Sequence, residues 1–474
     1  MGELAGVYSA LATAGADADG GAPAVVFTGV PPEPSVEQRL ARFGVAAVVL
    51  ATPAGVAPGV WLLGGTAHGA WFPEDAGADE PHAAVVALVE RARLRDFAGE
   101  VGPEPTFTTM HKPGSDSRGV VQFRLGAAEV VAKIGDAAAL AAEVRFATEV
   151  NGLLAGQGKR ALFPEVHGFR VEGGQGVSLM EAGRPMPIAP LFADEERTTL
   201  ADAALDILQP HLDLLTVWYR HTAQARRPTV GDYLYRERYH LLLEFPAFVS
   251  AFRAFFGDTA PAEILDVPVA LPGGVVVPGY LESVAWLDTV APDLLPANGS
   301  AVHGDIYAAN MLLRADDSPV LIDPRTVWEG RDRPDVGFGD PVFDLSTLLH
   351  GVLPMAAILR AAETGTSDAL FGAAPGPRDG RLNLSTLRLP MAFPPAVRAL
   401  QERMLRVLPH DEPPHAVRAR LYIGAATSLL GWLKYERSVR TAPAWLATFG
   451  YVAWYLDQAR KVWDDRSTDG KHAS

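Results

Sequence analysis

The chain has 474 residues, 48% of them hydrophobic and 20% charged, so at ~150 residues per domain it is long enough for two or three globular domains. Its net charge of −15 and pI near 5.3 exclude the basic surface of a nucleic-acid-binding protein and disfavour docking on an anionic membrane. With no cysteine, it has no disulfides, thiolate catalysis or cysteine-ligated metals. It shows neither a secretory signal nor an apolar run of the ~20 residues that a spanning helix needs. We therefore expect a cytoplasmic protein without nucleic-acid or membrane partners.

Residues 1–100 are predicted to form a small α/β unit. Apolar runs at 24–27 and 45–50 predict buried strands, and helical periodicity predicts helices at 35–43 and 83–97. The unit has no phosphate-binding loop and no dinucleotide fingerprint. The sequence therefore assigns it no chemistry.

A sheet-rich segment is predicted at 105–183. Strand-like runs cover 120–125 and 129–134, a helical pattern covers 137–154, and a further strand-like run covers 177–181. The sheet-rich part of the chain therefore comes before its helical part.

The remainder, 184–474, is predicted to be mainly helical. Helical patterns cover 195–219 and 230–256, and three more lie between residues 394 and 463. Because strands precede helices instead of alternating with them, we predict an α+β protein of two lobes.

One segment of the helical part combines residues suited to phosphoryl transfer. Residues 302–314 read VHGDIYAANMLLR, and Asp323 follows in the run VLIDP. Phosphoryl transfer needs a carboxylate to accept the proton of the attacking hydroxyl, and oxygen ligands for the metal ions that neutralise phosphate charge. Asp305 and Asn310, five positions apart on one loop, can place a base and a metal-binding amide on the same side. Aspartates are also common in turns, so the combination favours this chemistry more than either aspartate alone.

These residues resemble the aminoglycoside phosphotransferase and choline kinase family of the protein-kinase-like superfamily. The family carries His-Gly-Asp, four residues and Asn, as in 303–310 here, and a metal-binding Asp, as in Ile322-Asp323. Residues 339–345, GDPVFDL, are similar to the family element that supports this loop. The resemblance implies a bilobal kinase-like fold, with the sheet-rich N-lobe and the helical C-lobe preceded by the small α/β unit.

The resemblance also implies a role for each residue of the motif. Asp305 is expected to be the catalytic base, and Asn310 and Asp323 are expected to hold Mg²⁺. ATP or GTP is the expected phosphoryl donor. His303 is expected to bond the loop backbone and not to carry a proton.

A lysine inside an apolar strand gives a first nucleotide contact. Burying the ammonium of Lys133 without a partner is costly, so we expect it to meet an anion. The resemblance implies that this anion is the nucleotide α- and β-phosphates, and that a glutamate on the following helix forms an ion pair with the lysine. Glu143 is the expected glutamate, since Phe146 follows it at helical spacing, and Glu149 is the alternative. An edge-strand lysine that reaches solvent is the structural alternative.

Two further segments correspond to nucleotide-binding elements of the family. The turn around Ser115 and Ser117 would cover the phosphates, although ordinary hairpin chemistry explains its composition equally well. Met180 and Glu181 correspond to the linker between the lobes, where backbone groups could read an adenine edge. These segments do not separate ATP from GTP.

The sequence departs from the family pattern after the metal-binding aspartate. Pro324-Arg325 replaces the usual acidic or aromatic residues, and Arg325 could contact a phosphate or pair with Asp335. The departure leaves the subfamily, and hence the acceptor, open.

Three functions fit the sequence. The first is a kinase for a hydroxyl of a sugar, aminoglycoside or related natural product. The second is a kinase of a primary-metabolism sugar or amino alcohol, and the third is a catalytically silent kinase-like binding module. The acceptor is expected to be a polyhydroxy or amino-bearing small molecule, and the net charge leaves room for a cationic one.

Overall fold

The structure is a computed structural model that describes residues 24–28, 46–50, 60–63, 105–111, 117–125, 128–172, 175–186, 188, 198–325, 337–409 and 411–469. The chain divides into two compact units. The first unit comprises Met1–Ala141 and Val166–Ala182, and the second comprises Ala142–Glu165 and Gly183–Ser474.

The N-terminal part of the first unit contains a three-stranded sheet. Its strands are β1 (Ala24–Thr28), β2 (Ala46–Leu50) and β3 (Val60–Leu63), in the order β2–β1–β3. β1 is parallel to β2 and antiparallel to β3. The strands predicted at 24–27 and 45–50 are present, whereas the helices predicted at 35–43 and 83–97 lie outside the described residues.

The first unit also contains a five-stranded antiparallel sheet, in the order β4–β5–β6–β8–β7. Its ladders join β4 to β5, β5 to β6, β6 to β8 and β8 to β7. The strands are β4 (Pro105–His111), β5 (Ser117–Leu125), β6 (Ala128–Asp136), β7 (Val166–Glu172) and β8 (Gln175–Glu181). Helix α1 (Ala137–Gly156) follows β6, and the Asp136 carboxylate caps it by accepting from the N–H groups of Ala138 and Ala139, at 3.0 and 2.9 Å.

The second unit is mainly helical. Its helices are α2 (Thr198–Thr222), α3 (Thr229–Asp232), α4 (Arg238–Leu241), α5 (Pro246–Phe256), α6 (Pro261–Leu265), α7 (Tyr280–Leu294), α8 (Pro341–His350), α9 (Ala356–Glu363), α10 (Pro395–Leu405), α11 (Pro414–Trp432), α12 (Glu436–Val439) and α13 (Ala442–Asp469). One π-helical turn, Tyr233–Glu237, joins α3 to α4, and another, Gly351–Met355, joins α8 to α9. The core of this unit is built around α8, α11 and α13. Every residue of α8 is buried, and α11 and α13 contribute many buried side chains to the same core.

Short strands connect these helices. They are β9 (Arg184–Pro185), β10 (Val269–Ala270), β11 (Val276–Val277), β12 (Ser300–Ala301), β13 (Met311–Leu313), β14 (Pro319–Leu321), β15 (Phe338–Gly339), β16 (Gly376–Arg378) and β17 (Arg381–Asn383). β9, β13 and β14 form one sheet, and β12 pairs with β15. The sheet-rich N-terminal part and the helical C-terminal part confirm the predicted mixed fold.

Within the part of the chain that the structure describes, one helical stretch, Pro341–Glu363, is long and apolar enough to cross a membrane. However, 83% of its most apolar window is buried inside the protein, as expected of a core helix. Its length and composition are therefore weak evidence for a membrane span.

Candidate active site

The β13–β14 hairpin brings the two predicted metal ligands together. Met311 pairs with Leu321, and the N–H of Ile322 donates to the carbonyl of Asn310 at 3.0 Å. Asp323 is therefore one residue beyond the position opposite Asn310. Its backbone is left-handed, with φ at 64°, a conformation that is uncommon for a residue other than glycine. Such conformations occur at functional sites, where the surrounding structure holds them.

The loop before β13 fixes the orientation of the Asn310 side chain. Its Nδ2 donates to the backbone carbonyl of Asp305 at 2.9 Å, and its own N–H donates to the carbonyl of Tyr307 at 2.9 Å. Gly304, with φ at 83°, makes the turn that leads into Asp305. Because the amide nitrogen is used inside the loop, Oδ1 is the Asn310 atom suited to bind a cation.

A buried carboxylate holds this loop from behind. Asp344, on the first turn of α8, accepts from the N–H of His303 at 2.8 Å, the N–H of Gly304 at 2.5 Å and the hydroxyl of Tyr219 at 2.8 Å. Burial raises the pKa of Asp344 to about 7, the three hydrogen bonds oppose this shift, and the charge of Asp305 adds to it. The GDPVFDL element therefore supports the loop through direct hydrogen bonds.

The same element begins with a second buried aspartate. Asp340 caps α8 by accepting from the N–H of Val342 at 3.0 Å, and it also accepts from the hydroxyl of Tyr235 at 2.8 Å. The guanidinium of Arg420, itself 1% exposed, lies 2.9 Å from the Asp340 carboxylate and 2.8 Å from that of Glu412. This network fixes the start of α8, and with it the position of the supporting carboxylate.

His303 is a structural residue of the loop, as expected. Its Nδ1 accepts from the N–H of Asp305 at 3.2 Å, so its Nε2 carries the hydrogen that faces the carbonyl of Ile322 at 2.9 Å. The ring is fully buried and stacks on Phe163, with centroids 5.8 Å apart and planes 8° from parallel. The imidazole thus ties the residue after β14 to the His-Gly-Asp loop, residues 303–310.

Tyr307 lies between the expected base and the expected amide ligand. Burial is the largest cause that raises its pKa, and the charges of Asp305 and then Asp323 raise it further, against the opposing charge of Arg325. The Tyr307 ring packs edge-on against Trp432, with centroids 6.2 Å apart. This contact could not be predicted from the sequence because Trp432 belongs to α11, far along the chain.

Four of the predicted nucleotide-binding residues, Ser117, Lys133, Met180 and Glu181, lie in the five-stranded sheet. Lys133 is 9% exposed and pairs with Val120 on one side and Ser178 on the other, so β6 is an interior strand and the edge-strand alternative is wrong. Met180 is paired on both sides, whereas the β7–β8 ladder ends before Glu181, which pairs only with β6.

The glutamates of α1 and the two serines are described less fully. Glu143, on α1, is half-buried and four residues before the buried Ala147, whereas Glu149 is exposed. This burial favours Glu143 as the residue on the inner face of the helix. Ser117 is the first residue of β5 and its backbone lies opposite Gly135, while Ser115 is outside the described residues.

The donor set suits magnesium. Across the described ranges, no group of three or more His, Asp or Glu side chains is arranged to hold a metal ion. The Oδ1 atom of Asn310 and the carboxylate of Asp323 instead offer two hard oxygen ligands on one hairpin. Mg²⁺ is commonly bound by one or two carboxylates together with phosphate oxygens and water, so these residues fit it.

The mixed fold and the supported His-Gly-Asp loop define the chain as a kinase-like phosphotransferase. Residues 110–384, more than half of the chain, match the model of the phosphotransferase enzyme family, APH, and the chain belongs to this family. This confirms the resemblance noted from the motifs. No curated protein was found to match the sequence.

Several solved structures are similar to this chain at low identity. Spectinomycin phosphotransferase APH(9)-Ia, solved with ADP and spectinomycin, is 9% identical at a TM-score of 0.43, covering 78% of this chain and 98% of its own. Choline kinase LicA from Streptococcus pneumoniae is 10% identical at a TM-score of 0.42, and the match covers 78% of this chain and 99% of LicA. Aminoglycoside-3'-phosphotransferase of type VIII is 18% identical at a TM-score of 0.34, and the match covers 71% of this chain and 98% of that protein. At these scores none of them identifies a substrate for this chain.

Proposed function

We propose that the protein transfers the γ-phosphoryl group of ATP or GTP to a hydroxyl of a sugar, aminoglycoside or related natural product. The observation that carries the proposal is the loop held by Asp344, which carries Asp305 and Asn310, together with the β13–β14 hairpin, which places Asp323 one residue beyond the position opposite Asn310. Membership of the phosphotransferase family supports the reaction class.

In this proposal Asp305 acts on the acceptor. Its backbone N–H donates to His303 and its backbone carbonyl accepts from Asn310, so the residue is held in the loop before an acceptor arrives. It would orient the attacking hydroxyl and accept its proton as the phosphoryl group is transferred. Because the loop is already ordered by buried hydrogen bonds, little reorganisation accompanies the transfer step.

The nucleotide would be bound by residues from several elements. Lys133 would contact its phosphates, with Glu143 as the ion-pair partner of the lysine. The turn containing Ser115 and Ser117 would cover the phosphates. Backbone groups of Met180 and Glu181 would form hydrogen bonds with the base. Asn310 and Asp323 would hold Mg²⁺, which supplies charge neutralisation for the phosphate oxygens when it is bound.

The acceptor is proposed to be a polyhydroxy or amino-bearing small molecule, and not a nucleic acid or a membrane. The charge of −15 disfavours both of these polyanionic partners. The cytoplasm is the proposed location, since a kinase of this kind draws on intracellular nucleotide.

A screen of acceptors tests this proposal. Purified protein is incubated with Mg²⁺, ATP or GTP, and sugars, aminoglycosides, nucleosides or amino alcohols, and release of nucleoside diphosphate is measured alongside mass spectrometry of the acceptor. We expect a phosphorylated acceptor with the wild type and none with Asp305→Asn. Nucleotide binding without transfer to any acceptor would instead support a catalytically silent module.

A further inference from the structure

A tryptophan at the end of α11 packs against the loop that carries the expected base and the expected amide ligand. The ring of Trp432 meets the ring of Tyr307 edge-on, with centroids 6.2 Å apart and planes 80° from parallel. An edge-on pair is a favoured arrangement of aromatic rings, so each ring restrains the other. Both side chains are half-buried, and neither has a role in the chemistry described above.

A buried histidine fixes the orientation of the Trp432 ring. The indole Nε1 donates to Nε2 of His350, the last residue of α8, at 3.3 Å. Because Nε2 accepts this hydrogen bond, the hydrogen of the neutral imidazole lies on Nδ1. Burial lowers the pKa of His350 to about 4, against the opposing effect of the backbone of Ser346 and Thr347. The imidazole is therefore neutral at pH 7 and can accept the indole hydrogen.

Close packing of α8 and α11 keeps His350 and Trp432 together. A Cβ atom at Gly424 of α11 would overlap Oγ of Ser346 on α8, so the glycine permits a close approach of the two helices. Ser346 is about one turn before His350, and Gly424 is about two turns before Trp432. The helices thus meet at both positions. The Trp432 ring is anchored to the same buried helix that supports the loop through Asp344.

Tyr307 is confined from a second direction by the residue after His350. A Cβ atom at Gly351 would lie 3.0 Å from Cβ of Tyr307 and 3.6 Å from its Cα. The backbone of Gly351 has ordinary helical angles, with φ at −63° and ψ at −39°. The glycine therefore provides space for Tyr307, and alanine could adopt the same backbone conformation only by crowding the tyrosine.

The position of Tyr307 sets the position of Asn310. Tyr307 immediately precedes the 3₁₀ turn Ala308–Asn310, and its backbone carbonyl accepts from the N–H of Asn310 at 2.9 Å. A displacement of Tyr307 would move the start of this turn and, with it, the amide oxygen suited to bind the cation. Residues that orient a metal ligand affect metal affinity although they do not contact the metal.

We propose that Trp432, anchored by His350, is a positioning residue for phosphoryl transfer. By packing on Tyr307 it holds the 308–310 turn in the conformation in which Asn310 binds Mg²⁺. The inference rests on the proposed kinase function and adds to its metal site a residue from outside the sequence motif.

Binding of Mn²⁺ measures this role without an acceptor. Wild type and variants, each saturated with a non-hydrolysable ATP analogue, are titrated with Mn²⁺, and the free ion is followed by electron paramagnetic resonance. We expect Trp432→Ala to weaken Mn²⁺ binding about tenfold, the lower end of the range for residues that orient a metal ligand. Trp432→Phe, which keeps a ring but loses the indole N–H, should weaken it about threefold, and so should Gly351→Ala, which crowds Tyr307.

Trp463 provides the matched control. It lies on α13 and packs edge-on against His415, with centroids 5.5 Å apart. His415 is at the opposite end of α11, about 25 Å along the helix from Trp432. Trp463→Phe therefore alters another buried contact between a tryptophan and a histidine, and it should change Mn²⁺ affinity by less than about twofold. Thermal unfolding confirms that each variant is folded under the conditions of the titration.

A double-mutant cycle tests whether Trp432 acts through Asn310. In the Asn310→Ala background, Trp432→Ala should change Mn²⁺ affinity by less than about twofold, because the ligand that it positions is gone. His350→Gln, whose amide oxygen can accept the indole hydrogen, should stay closer to wild-type affinity than His350→Leu. A merely structural role would weaken binding equally with and without the Asn310 amide.

The outcomes separate the inference from the kinase function. Equal weakening in both backgrounds, or wild-type Mn²⁺ affinity in both Trp432 variants, would overturn the positioning role while leaving the kinase function intact. The expected pattern of Mn²⁺ affinities without turnover of any acceptor would support the positioning role and count against the kinase function. A wild type that binds no Mn²⁺ together with the nucleotide analogue would overturn both.

Discussion

Replacing Asp344 should separate the hydrogen-bonding role of this carboxylate from its charge. The side chain accepts three hydrogen bonds, from the N–H groups of His303 and Gly304 and from the hydroxyl of Tyr219. Alanine removes the acceptor of all three donors. Asparagine has one carbonyl oxygen, which can keep the two bonds now made to Oδ2, but its NH₂ group then faces the N–H of Gly304.

The expected difference follows from the number of donors left without an acceptor. A buried donor without a partner costs about 1–3 kcal/mol, so the two hydrogen bonds that asparagine keeps and alanine loses correspond to about 2–6 kcal/mol. The NH₂ group of asparagine brings donors of its own against the N–H of Gly304, which offsets part of this difference. Asp344→Ala should therefore be less stable than Asp344→Asn by about 1–3 kcal/mol. Both variants lack the carboxylate charge, and this comparison therefore cancels the cost of burying it. Since asparagine misorients Gly304, next to the base, it should still lower kcat.

Chemical denaturation at pH 8 and steady-state kinetics of the folded variants measure these effects. The matched control is Asp293, an exposed aspartate on α7, where alanine and asparagine should differ by less than about 1 kcal/mol. If Asp344→Ala and Asp344→Asn also differ by less than that, and both keep the wild-type kcat, the loop is not held in the way described.

Further predictions concern the chemistry and its pH dependence. Asp305→Asn should lower kcat by ~10²–10⁴-fold with little change in nucleotide affinity, and a folded variant with near wild-type kcat would reject Asp305 as the base. Asp323→Ala should weaken Mg²⁺-dependent nucleotide binding, measured by calorimetry, more than Asn310→Ala does, because the carboxylate gives the metal more charge than the amide; the reverse order would count against these ligands. The pKa of Asp344 is raised from 3.8 to about 7, so its contribution to stability is present below pH 4 and is lost as the pH rises towards 7. Between those values the free energy of unfolding of Asp344→Asn should fall less with rising pH than that of the wild type, and parallel curves would refute the raised pKa.

The parts of the site that follow from the sequence are local in the chain. Asn310 and Asp323 flank a short hairpin, so a spacing argument places them together, and β13 and β14 form that hairpin. Strands with clear apolar runs, such as β1 and β6, were likewise predictable. The hydrophobic pattern of such a strand reflects the burial of its own residues in the sheet, so it can be recognised without knowing how the rest of the chain folds.

The parts that did not follow depend on long-range packing. Helices α7 and α8 were not predicted as helices, and α8 is buried all round, so it lacks the polar face that makes helical periodicity visible. The contact of Trp432 with Tyr307 and the position of Arg238 against Gly431 join residues more than a hundred positions apart. No local pattern encodes such pairs.

The central claim is that the β13–β14 hairpin and its loop form a phosphoryl-transfer site. The most direct test is a crystal structure of the wild type with a non-hydrolysable ATP analogue and Mn²⁺ in place of Mg²⁺, with the metal located by its anomalous signal. We expect the metal about 2.1–2.2 Å from Asn310 Oδ1 and from a carboxylate oxygen of Asp323, with the γ-phosphate on the side of Asp305. A metal bound away from both side chains would contradict the account.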